Sequence, residues 1–377
     1  MLPRSRMVAA LQHREPDRVP IGELAVDWRI AEEALGVKTL YQSEWREWTA
    51  LWEGRRDEIV DHYVRDLVGL ARRFEWDFVV VPTVPPPRKI YPKPELLGDH
   101  RWRDDKGRIW RYSPEAGGLP HAEYHPPMSI EDVPDPSAPV TVEDSEFESV
   151  ERVLKELGDT HLVVARVPDG TFPWKDTIGM AAYLEAMLVD PEFVRKTTAV
   201  ALSRSLAYIR AAADLGAHAV LTTHDFCDNH GPIMGPRLFK EFVLPALADS
   251  AKAAHDRCIY FIKHTDGNLW SILDDMVSAG VDGWKGIQPS IGMDLKLLKE
   301  KYGGKLTLIG GVNCDTLVAG SAADVDEEVK YAIRHAARGG GFVMCSGNTL
   351  MPGTKFENYG AMVAANRRYG GYPIADV

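Results

Sequence analysis

Cysteine is scarce. The chain holds four, Cys227, Cys258, Cys314 and Cys345, far apart and never as CxxC. That excludes a disulfide framework and reads as reduced thiols in a cytoplasmic protein. Positive charge is also short: the formal net charge is −11 and no Lys/Arg run exists, which removes nucleic acid as a partner. No apolar run approaches the roughly 18 residues of a membrane span. The opening MLPRSRMVAALQHREPDRVP lacks the apolar centre of a secretory leader. Neither a Walker A sequence nor GxSxG occurs, and the glycine run Gly339–Gly341 precedes an apolar stretch instead of following one. A Rossmann dinucleotide site is therefore not expected.

What is present is an ordinary globular balance, 45% hydrophobic and 26% charged over 377 residues, with length enough for a full core. Residues 4–13 read as an amphipathic helix and Glu15–Pro20 as a turn. Residues 28–35 and 55–75 are helical in pattern, and Trp28, Trp45, Trp48 and Trp52 crowd the same region as core or cover. Phe78–Pro82 (FVVVP) is the first buried strand. Residues 88–127 leave the pattern: Asp104–Tyr112 is a turn followed by an alternating strand, which predicts a β-hairpin excursion, and Pro126–Pro139 is a proline-rich connector. From there apolar runs alternate with helical stretches, at 162–167, 217–222, 258–263, 281–287, 306–309 and 341–344. With Phe78–Pro82 these make seven strands, and an eighth fits near Ile21. The economical architecture is an α/β fold, a (β/α)8 TIM-type barrel, as one domain over 1–377. It carries an N-terminal helical extension (1–75) and the inserted hairpin region (88–127).

Each apolar run breaks into a polar loop, and in such barrels the loops at the strand C-termini carry the chemistry. Cys258–Asn268 (CIYFIKHTDGN) switches abruptly at His264. His264 and Asp266 sit two apart, so strand-like geometry would point both into one space, as metal ligands or an acid/base pair. The alternative is a hydrogen-bonded core histidine and a helix-capping aspartate. Thr223–Gly231 (THDFCDNHG) gathers His224, Asp225, Cys227, Asp228 and His230. These are ligand types that zinc or iron accepts, although the spacing matches no closed zinc motif and polar loops also use Asp to cap turns. The same face collects Asp169, Phe172, Trp174, Gln288, Asn313 and Asn348, whereas Cys227 and Cys345 read as small buried residues.

Several segments together resemble the uroporphyrinogen decarboxylase superfamily: RSRMVAALQHREPDRVPI, DDKGRIWR, the run from Gly231 to Pro245, KHTDGN, IGGVN and SGNTLMPGTKFENY. The resemblance covers almost the whole chain. It implies a distorted (β/α)8 barrel and one of two activities, porphyrinogen decarboxylation or methyl transfer involving a corrinoid protein. True decarboxylases carry an arginine-rich RQAGRY-type segment near the N-terminus, and here that place reads IGELAVDWRIAEEALG. The methyltransferase branch is therefore implied. Its zinc enzymes use a His-x-Cys pair and a later Cys, where this chain has His264, Asp266 and Asn348. Thiol activation by zinc loses its thiolates, and a harder metal site on His264 and Asp266 stays open. The expected reaction moves a methyl group from a small methoxylated, for instance aromatic, or methylated donor to the cobalt of a separate corrinoid (cobalamin-binding) protein, as in O-demethylation. This chain has no DxHxxG segment of its own to hold the corrinoid. The implied catalytic residues are His264, Asp225, Asp266 and His224. Asp169, Phe172, Trp174, His230, Trp284 and Asn348 are the implied substrate contacts, and a homodimer the implied assembly. The alternative is a decarboxylase-like carboxy-lyase acting without metal or corrinoid.

Overall fold

The structure, a computed structural model, describes residues 1–43, 45–112 and 120–375. The chain opens with helices α1 (Pro3–Leu11), α2 (Trp28–Leu35), α3 (Trp45–Trp52) and α4 (Arg56–Phe74). Strand β1 (Phe78–Pro82) follows, and then four short strands, β2 (Glu95–Gly98), β3 (Arg101–Arg103), β4 (Ile109–Arg111) and β5 (His121–Tyr124). After α5 (Glu148–Leu157) come β6 (Leu162–Arg166), α6 (Met180–Val189), α7 (Pro191–Asp214) and β7 (Ala219–Thr222). The last strands are β8 (Tyr260–His264), β9 (Gly283–Ile287), β10 (Thr307–Val312) and β11 (Phe342–Ser346), with helices between them.

Seven strands pair in parallel in the order β1-β6-β7-β8-β9-β10-β11. Both faces of this sheet are covered, which is why its strands read as continuous apolar runs. Alternate residues divide between two cores. Phe78, Val80, Leu162, Val164, Ala219, Leu221, Ile262, Ile309 and Val343 point inward and meet Met7, Ala10 and Leu11 of α1. Val79, Val163, Val220, Phe261, Trp284 and Leu308 point outward against the helices. Helix α1 plugs the N-terminal end of the barrel: Arg4 N donates to Thr160 O (2.7 Å), just before β6.

The eighth position is filled by a segment around Ile21. Ile21 bridges Met344 of β11 in the parallel sense. Met344 N donates to Pro20 O (2.8 Å), and Asp77 N donates to Ile21 O (2.7 Å), so the segment joins β11 to the start of β1. Asp77 is fully buried and holds this joint with its side chain. It accepts from Ile21 N at 2.9 Å and pairs with Arg6 and with Arg18 (3.2 Å).

Two expectations change. The excursion is larger than the expected hairpin: the turn at Asp104 joins β3 to β4, and β2 and β5 extend that pair into a four-stranded antiparallel sheet, β2-β3-β4-β5; residues 113–119 lie outside the described residues. Its strands are three or four residues long, too short to leave a clear alternation in sequence. The buried Trp102 of β3 packs edge-on against Trp45 (5.5 Å) and Trp52 (5.9 Å) of α3, so the tryptophan-rich region is indeed cover. Cys258 does not begin β8. It is exposed with φ +57°, a turn residue, and the strand starts at Tyr260 and runs on through His264. Among the described residues no helix is long and apolar enough to cross a membrane.

Candidate active site

Strand β8 builds the centre because its alternation sends successive side chains to opposite faces. Ile262 and then His264 face the barrel interior, while Lys263 faces outward. His264 is 5% exposed, and its Nε2 lies 3.8 Å from Asp225 Oδ1. Burial, then the charges of Lys285 and Lys263, push the imidazole well below its ordinary range, so it is neutral at physiological pH. Its Nδ1 is buried and makes no hydrogen bond of ordinary geometry with any described residue. Asp225 sits at the mouth with half of its side chain in solvent. Burial of the remainder and the nearby Asp266 charge push its carboxyl up to about 6. Asp266 is oriented by Asn348, whose Nδ2 donates to Oδ2 at 2.6 Å. The loops are locked together: Phe226 N donates to Thr265 Oγ1 (2.9 Å). Gly267, at φ +92°, lies where a Cβ would come within 2.6 Å of Asp228 O. His264, Asp225, Asp266 and Asn348 are thus brought together as one group.

A second group forms on the outer face. Lys263 is wholly buried, and its ammonium donates to Asp169 Oδ2 (2.5 Å) and His224 O (2.7 Å). It also sits 4.3 Å from the centre of the Phe226 ring. Asp169 accepts in addition from His224 N (2.8 Å), Thr171 N (2.9 Å) and Thr171 Oγ1 (2.5 Å). Against the cost of burial, the Lys263 ammonium beside it holds the Asp169 carboxyl far below the usual carboxylate range. With its oxygens so engaged, Asp169 is a strut that fixes the loops after β6 and β7. The His224 ring turns toward this strut, Nδ1 at 3.6 Å from Asp169 Oδ1, and not toward His264's side of the sheet. Burial lowers its pKa.

The remaining expected contacts separate. Phe172 is fully buried and packs edge-on against Tyr183 of α6 (5.6 Å), so it is core and walls no ligand. Trp284 is likewise fully buried, its Nε1 donating to Thr265 O (2.8 Å); strand parity places it outward, opposite the mouth. Trp174 is partly buried against the core beneath the Lys175 ammonium (5.3 Å). His230 is exposed on the rim, and its N–H caps Asp228 Oδ1 (2.7 Å) in a polar turn. Asp169 also lines a cavity of about 590 Å³ between the loop after β6, the proline-rich connector and α7, and none of His264, Asp225, Asp266 and Asn348 lines it.

Sequence reasoning missed four charged residues. Lys263 and Lys285 are buried on adjacent strands, and Lys285 Nζ donates to Ser346 O (3.2 Å). Glu23, 1% exposed, accepts from Ser346 N (3.0 Å), Ser346 Oγ (2.7 Å) and the Cys345 thiol (3.1 Å), and burial pushes its carboxyl up. Arg166 ends β6. The signal was there: a single charge inside each apolar run, in LVVAR, IYFIKH, GWKGI and PIGELAV.

The donors around His264 do not make a thiolate zinc site. The second position of the pair is Asp266, already engaged by Asn348, and burial pushes the Cys227 thiol of the neighbouring loop up to about 12. Among the described residues no three His, Cys, Asp or Glu side chains gather as a metal-holding group.

Comparison with known proteins agrees with this architecture. A methyltransferase from Methanosarcina mazei superposes with TM-score 0.72 at 19% identity, covering 98% of this chain and 99% of that one, which establishes the shared fold. The methylcobamide:CoM methyltransferase MtaA of Methanosarcina barkeri is 22% identical over 224 residues, 59% of this chain and 63% of the relative's length. The same protein of the Fusaro strain matches equally. The family model for uroporphyrinogen decarboxylase (URO-D) matches residues 112–369, well over half of the chain, and the chain therefore belongs to that family.

Proposed function

We propose that this protein is a methyltransferase that takes a methyl group from a small methoxylated or methylated donor and delivers it to the cobalt of a corrinoid carried by a separate protein. The observation behind this reading is the Asp225 carboxyl, raised to about 6 beside a neutral His264. Breaking a methyl–oxygen bond leaves an oxyanion, and a carboxylic acid with a pKa near operating pH is suited to protonate it. The reduced corrinoid supplies the nucleophile. Asp225 gives its proton to the leaving oxygen as the carbon–oxygen bond breaks, while His264 fixes the donor at the mouth. Asn348 orients Asp266 through a hydrogen bond of 2.6 Å, and burial together with that neighbouring carboxylate raises the Asp225 carboxyl. The likeness to a protein named as a methylcobamide:CoM methyltransferase supports the corrinoid acceptor. No step here requires a metal.

The test is cobalt methylation, followed spectroscopically, with a reduced corrinoid protein and a panel of methoxylated donors. Asp225→Asn should slow methyl transfer by roughly 10²- to 10⁴-fold, and His264→Ala should abolish it. Normal transfer by either variant sinks the assignment. A second reading, a carboxy-lyase acting without metal or corrinoid, is favoured by the family's decarboxylase name. Carbon dioxide release from a carboxylic acid in the absence of any corrinoid protein would put it first.

A further inference from the structure

Arg166 is the residue at the mouth that the mechanism above leaves unused. It closes β6, and its Cα partners are Pro82 of β1 and Leu221 of β7. Leu162 and Val164, four and two residues earlier, both face the barrel interior. Arg166 shares their parity, so its side chain enters the same space one layer higher, at the C-terminal end. There it is half-buried. Its guanidinium makes no hydrogen bond or ion pair with any described residue. Other arginines that reach into the fold behave differently: Arg6 and Arg18 meet Asp77, and Arg56 meets Glu148. The acid in its neighbourhood, Glu47, is committed elsewhere, accepting the Tyr63 hydroxyl at 2.6 Å. Tyr41, Tyr63, Glu47 and His264 all feel the Arg166 charge, which places it within reach of the catalytic group.

A half-buried guanidinium without an anion is costly unless something else supplies one, and its planar fork matches a carboxylate in two parallel bonds. We propose that Arg166 anchors a carboxylate of the substrate, so that the methyl donor is a small methoxylated or methylated acid held with its anionic end at β6 and its methyl end at Asp225 and His264. This rests on the methyl-transfer reading for the donor's identity but not for its charge.

The test is equilibrium binding by calorimetry, with no corrinoid protein present and no turnover. The probes are para-methoxybenzoate and methoxyacetate, each beside its neutral amide, on the wild-type chain, Arg166→Gln and Arg166→Lys. At least one acid should bind the wild type more tightly than its amide. Arg166→Gln should weaken that acid by roughly 10- to 100-fold and leave the amide unchanged, and Arg166→Lys should recover part of the loss. Acids and amides binding alike, acid binding unaffected in Arg166→Gln, or no acid binding to the wild type would each overturn the proposal. A marked loss of folding stability in Arg166→Gln would also overturn it, since a residue without protein partners has no contacts to lose. Arg166-dependent binding alongside failed cobalt methylation would sink the methyl-transfer reading alone.

Discussion

Asp169 and Asp225 stand on consecutive loops, after β6 and after β7, each beside a histidine, yet their carboxyls move in opposite directions. Asp169 is sealed in, with an ammonium at 2.5 Å and three further donors on its oxygens. Asp225 is open on one side, has another carboxylate for a neighbour, and meets its histidine only at 3.8 Å. Burial raises both. The sign of the nearest charge decides which carboxyl becomes a fixed anion and which a proton donor. A matched carboxylate supports the loops, and a mismatched one is available to react.

The comparison can be broken most directly at Lys263. Lys263→Met leaves Asp169 buried and unmatched, and should cost about 3–5 kcal/mol of stability in urea unfolding. A loss under about 1 kcal/mol would show that the lysine does not neutralise the strut. At Asp225 the corresponding effect is on rate: methyl transfer should fall as pH rises through about 6, where the acid loses its proton. A profile flat from pH 5 to 8 would remove Asp225 as the donor. Stability should show the opposition as well. Asp225's raised carboxyl binds its proton more tightly in the folded chain, so its contribution falls as pH rises from its ordinary value to about 6. Asp169's lowered carboxyl contributes above its ordinary value and loses that contribution as pH falls. A smaller effect is expected from Asp266→Asn, which removes the like charge and should move the alkaline limb of the rate profile toward acid. An unmoved limb would mean that burial alone sets Asp225. The smallest is zinc content: protein purified without chelator should carry much less than one zinc per chain, unchanged in His264→Ala. One zinc lost on that substitution would restore His264 as a ligand.

Much of the barrel was legible because a doubly covered parallel strand leaves a continuous apolar run, and all seven runs became strands with ends shifted by a few residues. Ile21 was legible only as a place for the eighth. The inserted sheet was not legible beyond its turn, since three-residue strands leave no period. At the centre, polarity switches located His264, Asp225, Asp266 and Asn348 but gave no facing. Phe172, by type and loop position, and Trp284, by type, look like ligand walls, and packing and strand parity buried them instead. The charges embedded in apolar runs were visible in the sequence, but which of them would find a partner depended on loops distant in the chain. Lys263 found Asp169 across 94 positions, and Arg166 found none among the described residues.

The joint at Ile21 has a consequence for how the chain is made. Ile21 is made before every strand of the ring, yet its place lies between the strand that begins at Phe78 and the one that ends at Ser346. The plug helix and the joint can dock on β1 as soon as Asp77 is available, but the cylinder stays open until the chain has reached Ser346, 269 residues after Asp77. During that interval both edges of the growing sheet present unpaired backbone. The N-terminal segment, held at one edge by Asp77, Arg6 and Arg18, waits there as a template for the last strand to arrive.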